Sequence, residues 1–571
     1  MGELEVKLAG KSLADYTNTQ LRLALGAVLY TNTADMWKRY LTQLGYSGDV
    51  PQMLQKYYVD YSVPSNFRNY INAGASIFNP SQLFPSSEAG YIYDLSDLST
   101  IFLDSAGTTA ATVNGSVGLV LDKSKGLTLG AELLSSGAIG VTGTATAATY
   151  NTSTGAGTVT RVDSSNQSFV TFTGLTSTAF YQVTIQNTGS NILSFRQGTF
   201  ASTILGDINV GQTKTFISLA TTSQLTVTMS PTAGSGSFVI STFKSLAGNH
   251  AYQATSGSRP ILRGTPTGNN LAPNNGDFSS SSGWSPQSGW TISGGVASVN
   301  SSVAGSTYLR TTQPAVNGSV YRVKVTVTSL TSGILSVTAG SATAGSMSTA
   351  GTYEFYITAN NSTDGIGVYA GGSGVVASID NIDIRDVSAS AVTAPYALQF
   401  DGVDDFLQTA AVNFSATDKM TVCHGVRKLS DAAQGIVVEL SADTGSNNGS
   451  FRFTFPGGAG ANTYAWLCKG TVASSVTASG YIAPITNVVS GIANIAGDSC
   501  LLRVNGAQVN QSTSDQGTGN FGNYALYFGR RAGASIPYNG LMFSSVCVGK
   551  TVSAIELASI ERWVNIRTGA Y

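Results

Sequence analysis

The chain has 571 residues, only 11% of them charged, and a formal net charge of −1. A soluble domain usually carries about 25% charged residues, so uncharged polar side chains cover much of this surface. The hydrophobic share of 42% excludes intrinsic disorder, and the lack of any basic run excludes binding nucleic acid through its phosphates.

The length sets an expectation of three or four domains. The opening stretch Met1–Lys7 has no basic region followed by an apolar core, so no signal peptide is expected. The apolar run Leu21–Tyr30 is too short to span a bilayer, and no membrane association is expected. This composition suits extracellular, virion or cell-surface β proteins. Without a secretion signal, the expected route outward is host lysis.

Residues 1–88 differ from the rest and carry a helical pattern. Thr33 can cap a helix over 34–44 that stops at Gly45, and Asp49 can cap a second. Pro51 suits a first helical turn, and Gln52 completes a capping box with Asp49. Trp37 and Tyr40, with Tyr57, Tyr58 and Tyr61, give these helices an aromatic side. That side is either a docking surface for other proteins or a small helical core. An attachment or oligomerisation module is the reading adopted.

From residue 89 the pattern turns to β. Residues 89–109 and Val117–Gly126 resemble the opening strands of laminin-G-like, concanavalin-A-like jelly rolls in bacterial and phage proteins. A second motif of that family is split. Asp122–Lys123–Ser124 carries its start, and Gly248–Pro260 carries its continuation over a hundred residues later. The gap, residues 129–247, alternates apolar and polar residues around 168–173, 180–186, 214–219 and 224–229, as sandwich strands do. The expectation is a domain inserted in a surface loop of the jelly roll.

A second insertion is expected over 268–390. Its Gly283–Trp284, Gly289–Trp290 and closing strand Val376–Arg385 resemble carbohydrate-binding jelly rolls of the galactose-binding-like class. The laminin-G-like pattern resumes over 391–571. Tyr396–Leu407 reads as two strands around an Asp401–Gly402 turn. Arg503–Gly506 matches the family's hairpin, and Thr551–Trp563 matches its closing helix. The fold class is therefore mainly β. An interrupted jelly roll (89–128, 248–267 and 391–571) holds two inserted β-sandwiches behind a helical N-terminal region.

No catalytic site and no cofactor are expected. His250 and His424 lack a triad setting. Glu439 and Asp443 lack the third acid and the spacing of jelly-roll glucanases, and glycoside hydrolysis needs paired carboxylates. Asp401, Asp404 and Asp405 could hold calcium, but turn capping is the preferred reading. Cys423, Cys468, Cys500 and Cys547 read as buried thiols, with a disulfide left open.

Aromatic rings that can stack on sugar faces form the functional signal. The candidates are Trp284, Trp290, Tyr308 and Tyr369 in the second insertion, and Tyr464, Trp466 and Tyr538 in the jelly roll. Core positions for Trp284 and Trp290 are the competing reading. Together these features resemble a tailed-phage virion protein of the tail-fibre or appendage kind. That resemblance implies docking to other virion proteins, contact with host surface polysaccharide, and a homotrimer. A head-decoration or neck protein, and a glycan-degrading virion enzyme, are the alternatives.

Overall fold

The computed structural model describes residues 78–85, 88–230, 232–301, 305–372 and 374–571. Trp37, Tyr40, Tyr57, Tyr58 and Tyr61, and with them the expected docking surface, lie outside the described residues. The protein is mainly β. The one α-helix among the described residues is Ala554–Ile566. Its start is a capping box: Glu556 N–H donates to Ser553 Oγ at 3.2 Å, and Ser553 N–H donates to Glu556 Oε2 at 2.7 Å. No helix among the described residues is long and apolar enough to cross a membrane.

Two sheets form the central jelly roll. The first has eight strands. It runs from Ile261–Pro266 through Val392–Asp401, Asn539–Val548, Lys419–Lys428, Ile485–Asn494 and Ser499–Val504 to Ala507–Ser512, and Gly90–Tyr93 adds to Asn539–Val548. The second has nine. It runs Ile101–Phe102, Leu119–Val120, Ala251–Tyr252, Leu407–Asn413, Asn523–Phe528, Ile436–Leu440, Ser450–Thr454, Thr463–Lys469 and Ala473–Ser479. Their facing sides bury Tyr91, Phe400, Val422, Phe453, Trp466 and Phe528 in one core.

Strands from 90–120, 251–266 and 392–548 therefore interleave in the same two sheets. The two strands flanking Asp401–Gly402 are not a hairpin. Val392–Asp401 belongs to the eight-stranded sheet and Leu407–Asn413 to the nine-stranded one, so the turn carries the chain across the core. By contrast, Ser499–Val504 and Ala507–Ser512 pair directly, with Asn505 and Gly506 at φ 49° and 79°. Positive φ at both central residues is what a two-residue primed turn demands, and Asn-Gly supplies it at least cost.

Residues 129–246 form a separate eleven-stranded sheet folded around its own core, which includes Phe172, Val183, Phe195, Phe216 and Phe243. Residues 284–386 form two five-stranded sheets around Trp284, Trp290, Val323, Leu335, Val368 and Ile384. Each of these bodies leaves the jelly roll on a pair of antiparallel strands. Leu129 pairs with Leu246, and Ala247 N–H donates to Thr128 O at 3.0 Å. Pro266 pairs with Val392, and Thr267 N–H donates to Ala391 O at 3.0 Å.

Both bodies also pack on the jelly roll. Phe180, Ile217, Leu219 and Leu246 meet Leu119, Leu121 and Tyr252 on the outer side of the nine-stranded sheet. Tyr356 packs on Ala397, Leu429, Leu541 and Phe543 of the eight-stranded sheet. Beside it, Arg427 Nε donates to Glu354 Oε1 at 3.0 Å, and its Nη2 donates to Glu354 Oε2.

Candidate functional site

Strand alternation decides which of the seven candidate rings can meet a ligand, because successive side chains point to opposite faces. Trp466 stands opposite Phe453 and Val476 and is 0% exposed. Its ring centroid lies 4.5 Å from that of Phe453. Tyr464, two residues earlier, shares the inward phase, packs at a 58° tilt against Phe455 with ring centroids 4.4 Å apart, and accepts from Asn487 Nδ2 at 2.8 Å. Tyr538 donates to Arg427 O at 3.0 Å from a buried position. Trp284 and Trp290 are each 5% exposed and lie in the core of the second insertion. These five rings are core residues and offer no face to a sugar, which corrects the expectation for them.

Tyr308 and Tyr369 are different. They are cross-strand partners on Thr307–Pro314 and Gly365–Ala370, and both are half-buried. Leu309 and Val368, their neighbours in sequence, take the inward phase and are 0% exposed. The two rings therefore stand on the outer face of the five-stranded sheet. Their centroids are 4.8 Å apart with planes tilted by 32°. Tyr369 Oη donates to Ser306 Oγ at 2.7 Å, which fixes the ring's direction.

Arg310 completes the arrangement. Two residues along from Tyr308, it shares the outer face, and its guanidinium carbon lies 3.7 Å from the Tyr308 ring centroid. Its Nη1 is 3.0 Å from Asp364 Oδ1, and its Nη2 reaches Thr338 Oγ1 at 3.5 Å. Its Nε is buried without a hydrogen-bond partner. The facing positions of the adjacent strand are Gly365 and Gly367. A Cβ there would lie 1.9 Å from the carbonyl oxygens of Thr311 and Leu309 respectively, so only glycine lets the two strands meet this closely. The surface thus joins a pair of half-exposed aromatic rings to a fixed guanidinium and a carboxylate, with exposed Gln287 bonded to the Tyr308 backbone at its rim. Flat rings supply apolar contact, and the polar groups supply directional donors and acceptors, the combination sugar faces require. The sequence reading missed Arg310 and Asp364. Arg310 carried a signal, because an arginine two residues from an outward tyrosine must share its face.

The remaining candidates are structural. Asp401, Asp404 and Asp405 bring ligand atoms within 4.8 Å of one another; Asp401 and Asp405 bond within the turn, and Asp404 ties it to Ser258. Asp401 Oδ1 accepts from Val403 N–H at 2.7 Å, Asp404 Oδ2 from Ser258 Oγ at 2.9 Å, and Asp405 Oδ2 from Asp401 N–H at 3.1 Å. Burial, then the neighbouring charge of Asp401, pushes Asp405 up to about 7. His424 is buried, bonded through Nε2 to Tyr91 Oη at 2.9 Å, and burial lowers it to about 3. His250 accepts from Asp122 N–H at 2.9 Å and is also lowered to about 3 by burial. All four cysteines are buried and none is in a disulfide. The hydrogen bond with Cys500, then burial, pushes the Cys468 thiol upward.

Fold and site define a multidomain β protein built on an interrupted jelly roll. No protein-family model and no curated protein sequence matches the chain. Among solved structures it is similar to the receptor binding domain of botulinum neurotoxin D, at 12% identity over 30% of this chain and 44% of that one, with a TM-score of 0.25. It is also similar to the Ruminococcus gnavus IT-sialidase CBM40, at 15% identity over 27% of this chain and 97% of that one, with a TM-score of 0.22. The chain thus spans less than half of the neurotoxin chain it matches. Scores of this size carry no functional argument.

Proposed function

We propose that this protein is a glycan-binding appendage component of a tailed-phage particle, acting by binding rather than turnover. The observation that carries the glycan reading is the outer-face pair Tyr308 and Tyr369 beside Arg310, whose buried Nε has no partner. Low charge and uncharged polar side chains support the virion reading. The N-terminal region docks to other virion proteins in this reading, and the assembled protein is a homotrimer.

The test is binding of the full chain to surface polysaccharides of candidate hosts, measured by titration. The double substitution Tyr308→Ala with Tyr369→Ala removes both ring faces from a half-exposed site. Stacking is worth about 0.5–1.5 kcal/mol per aromatic contact, so losing both contacts is expected to cost at least about fivefold in affinity. Unchanged affinity, or failure to bind any polysaccharide, sinks the glycan reading and leaves a spacer role. Shortening of the polysaccharide sinks the binder-only reading.

A further inference from the structure

The outer face of the jelly roll's nine-stranded sheet carries a second polar constellation. Strand register sets one row across that face: Phe102, Leu119, Tyr252, Gln408, Tyr527, Glu439, Arg452, Leu467 and Ser475 stand opposite one another in turn. The core takes the other phase, as Val120, Phe528, Val438, Phe453 and Trp466 show. The first insertion covers the near end of the row, through Phe102, Leu119 and Tyr252. Beyond Gln408 the row holds half-exposed Tyr527 and Arg452 on either side of Glu439. Two strand spacings put these two side chains about 10 Å apart at the backbone, the span of one sugar ring and its substituents.

The charges on this patch balance in number, Glu439 and Asp443 against Arg531 and Arg452, but their direct pairing is uneven. Glu439 is 0% exposed although it lies on an outer face. Its Oε1 accepts from Thr444 N–H at 2.8 Å and its Oε2 from Arg531 Nε at 2.9 Å. Asp443 Oδ1 lies 3.3 Å from Arg531 Nη1. Both acids are thus committed to Arg531, whose Nη2 is still buried without a partner. Arg452 stands directly opposite Glu439 but forms no ion pair among the described residues; its one hydrogen bond runs from Nη1 to Thr444 Oγ1 at 3.1 Å. Burial, then the like charge of Arg531, lowers Arg452 from the usual arginine range, while the charges of Glu439 and Asp443 act the other way. Two guanidiniums thus stand near one another, and Arg452 keeps donors of its fork unused at a half-exposed position. A carboxylate can accept two parallel bonds from such a fork.

We propose that this patch is a second glycan site, selective for an acidic sugar whose carboxylate seats against the Arg452 fork beside Arg531 while its ring lies along Tyr527. It is independent of the Tyr308–Tyr369 surface, which sits on another body.

The experiment titrates the full chain with uronic-acid oligosaccharides and with the same oligosaccharides after reduction of their carboxyls to alcohols. Inorganic sulfate is tested as a competitor. The proposal expects at least tenfold preference for the acid form. It expects at least a tenfold loss with Arg452→Gln and with Tyr527→Ala. Arg452→Lys keeps the charge but loses the fork, so an intermediate affinity is expected and guards against a folding artefact. Equal binding of acid and reduced forms overturns the proposal, as does Arg452→Gln binding within twofold of the parent. Sulfate competing as well as the sugar acid reduces the patch to a general anion site and overturns the sugar assignment. Failure of the Tyr308–Tyr369 test with success here would relocate glycan recognition to the jelly roll.

Discussion

At the scale of single residues, phase along a strand decides role. Tyr308 and Trp466 are both strand aromatics, yet one stands outward beside Arg310 and the other fills a core. Nothing in local composition separates them, because the choice depends on which face a second sheet covers. The turn aspartates were more legible, since Asp-Gly chemistry is local. Asp405 also yields a pH prediction. Its folded pKa of about 7 lies above the ordinary carboxylate value. Between pH about 4 and 7 the folded chain therefore holds a proton that the unfolded chain releases. Stability falls as pH rises through that window and is flat above it. Asp405→Asn keeps an acceptor for Asp401 N–H and removes the charge. It is expected to raise the midpoint of thermal unfolding at pH 8, by an amount of order 1 kcal/mol after solvent screening, and to leave pH 4 unchanged. A larger gain at pH 4 than at pH 8 would refute this. Calcium at millimolar concentration is expected to leave the parent's midpoint unmoved, as turn capping requires.

At the scale of elements, the strands and the hairpin at Asn505–Gly506 were readable because period-two alternation and turn chemistry are local signals. The Asp401–Gly402 stretch read as two strands around a turn, but which sheets they join was not legible, since a turn that crosses between sheets has the same residues as one that closes a hairpin. Contacts between elements far apart in sequence were not readable at all. Glu354 and Arg427 are the chief example. The Glu354 side chain is 0% exposed and that of Arg427 is 21% exposed. Burial is the largest influence and lowers Arg427, but the charge and hydrogen bond of Glu354, with Tyr356 and Tyr538, together raise it overall. Removing one partner strands a buried charge, which costs about 3–5 kcal/mol, whereas replacing both by apolar groups is often neutral. Glu354→Met is therefore expected to lower stability by about 3 kcal/mol. The double substitution Glu354→Met with Arg427→Met is expected to recover most of that loss in chemical denaturation. A double variant less stable than either single one would show that the pair itself, and not the stranded charge, sets the energy.

At the scale of the whole molecule, the two inserted bodies leave the jelly roll on paired strands rather than flexible linkers, and each also packs on a sheet face. Hydrogen bonds at Ala247–Thr128 and Thr267–Ala391 hold the ends of each insertion together, so loop closure costs little further entropy. Replacing residues 268–390 by an Asn-Gly turn between Thr267 and Ala391 should leave a folded jelly roll. The same change uncovers Ala397, Leu429, Leu541 and Phe543, which Tyr356 contacts, and leaves Arg427 without Glu354. Each lost kcal/mol lowers the midpoint of a large domain by about 2–4 °C, so a drop of several degrees with cooperative unfolding is expected. The shortened chain should lose whatever binding depends on Tyr308 and Tyr369 and keep any uronate binding that depends on Arg452. A shortened chain that aggregates would show that the jelly roll needs its cover to fold. An unchanged midpoint would show that the second insertion is tethered by its strands alone, with the Glu354–Arg427 contact adding nothing to stability.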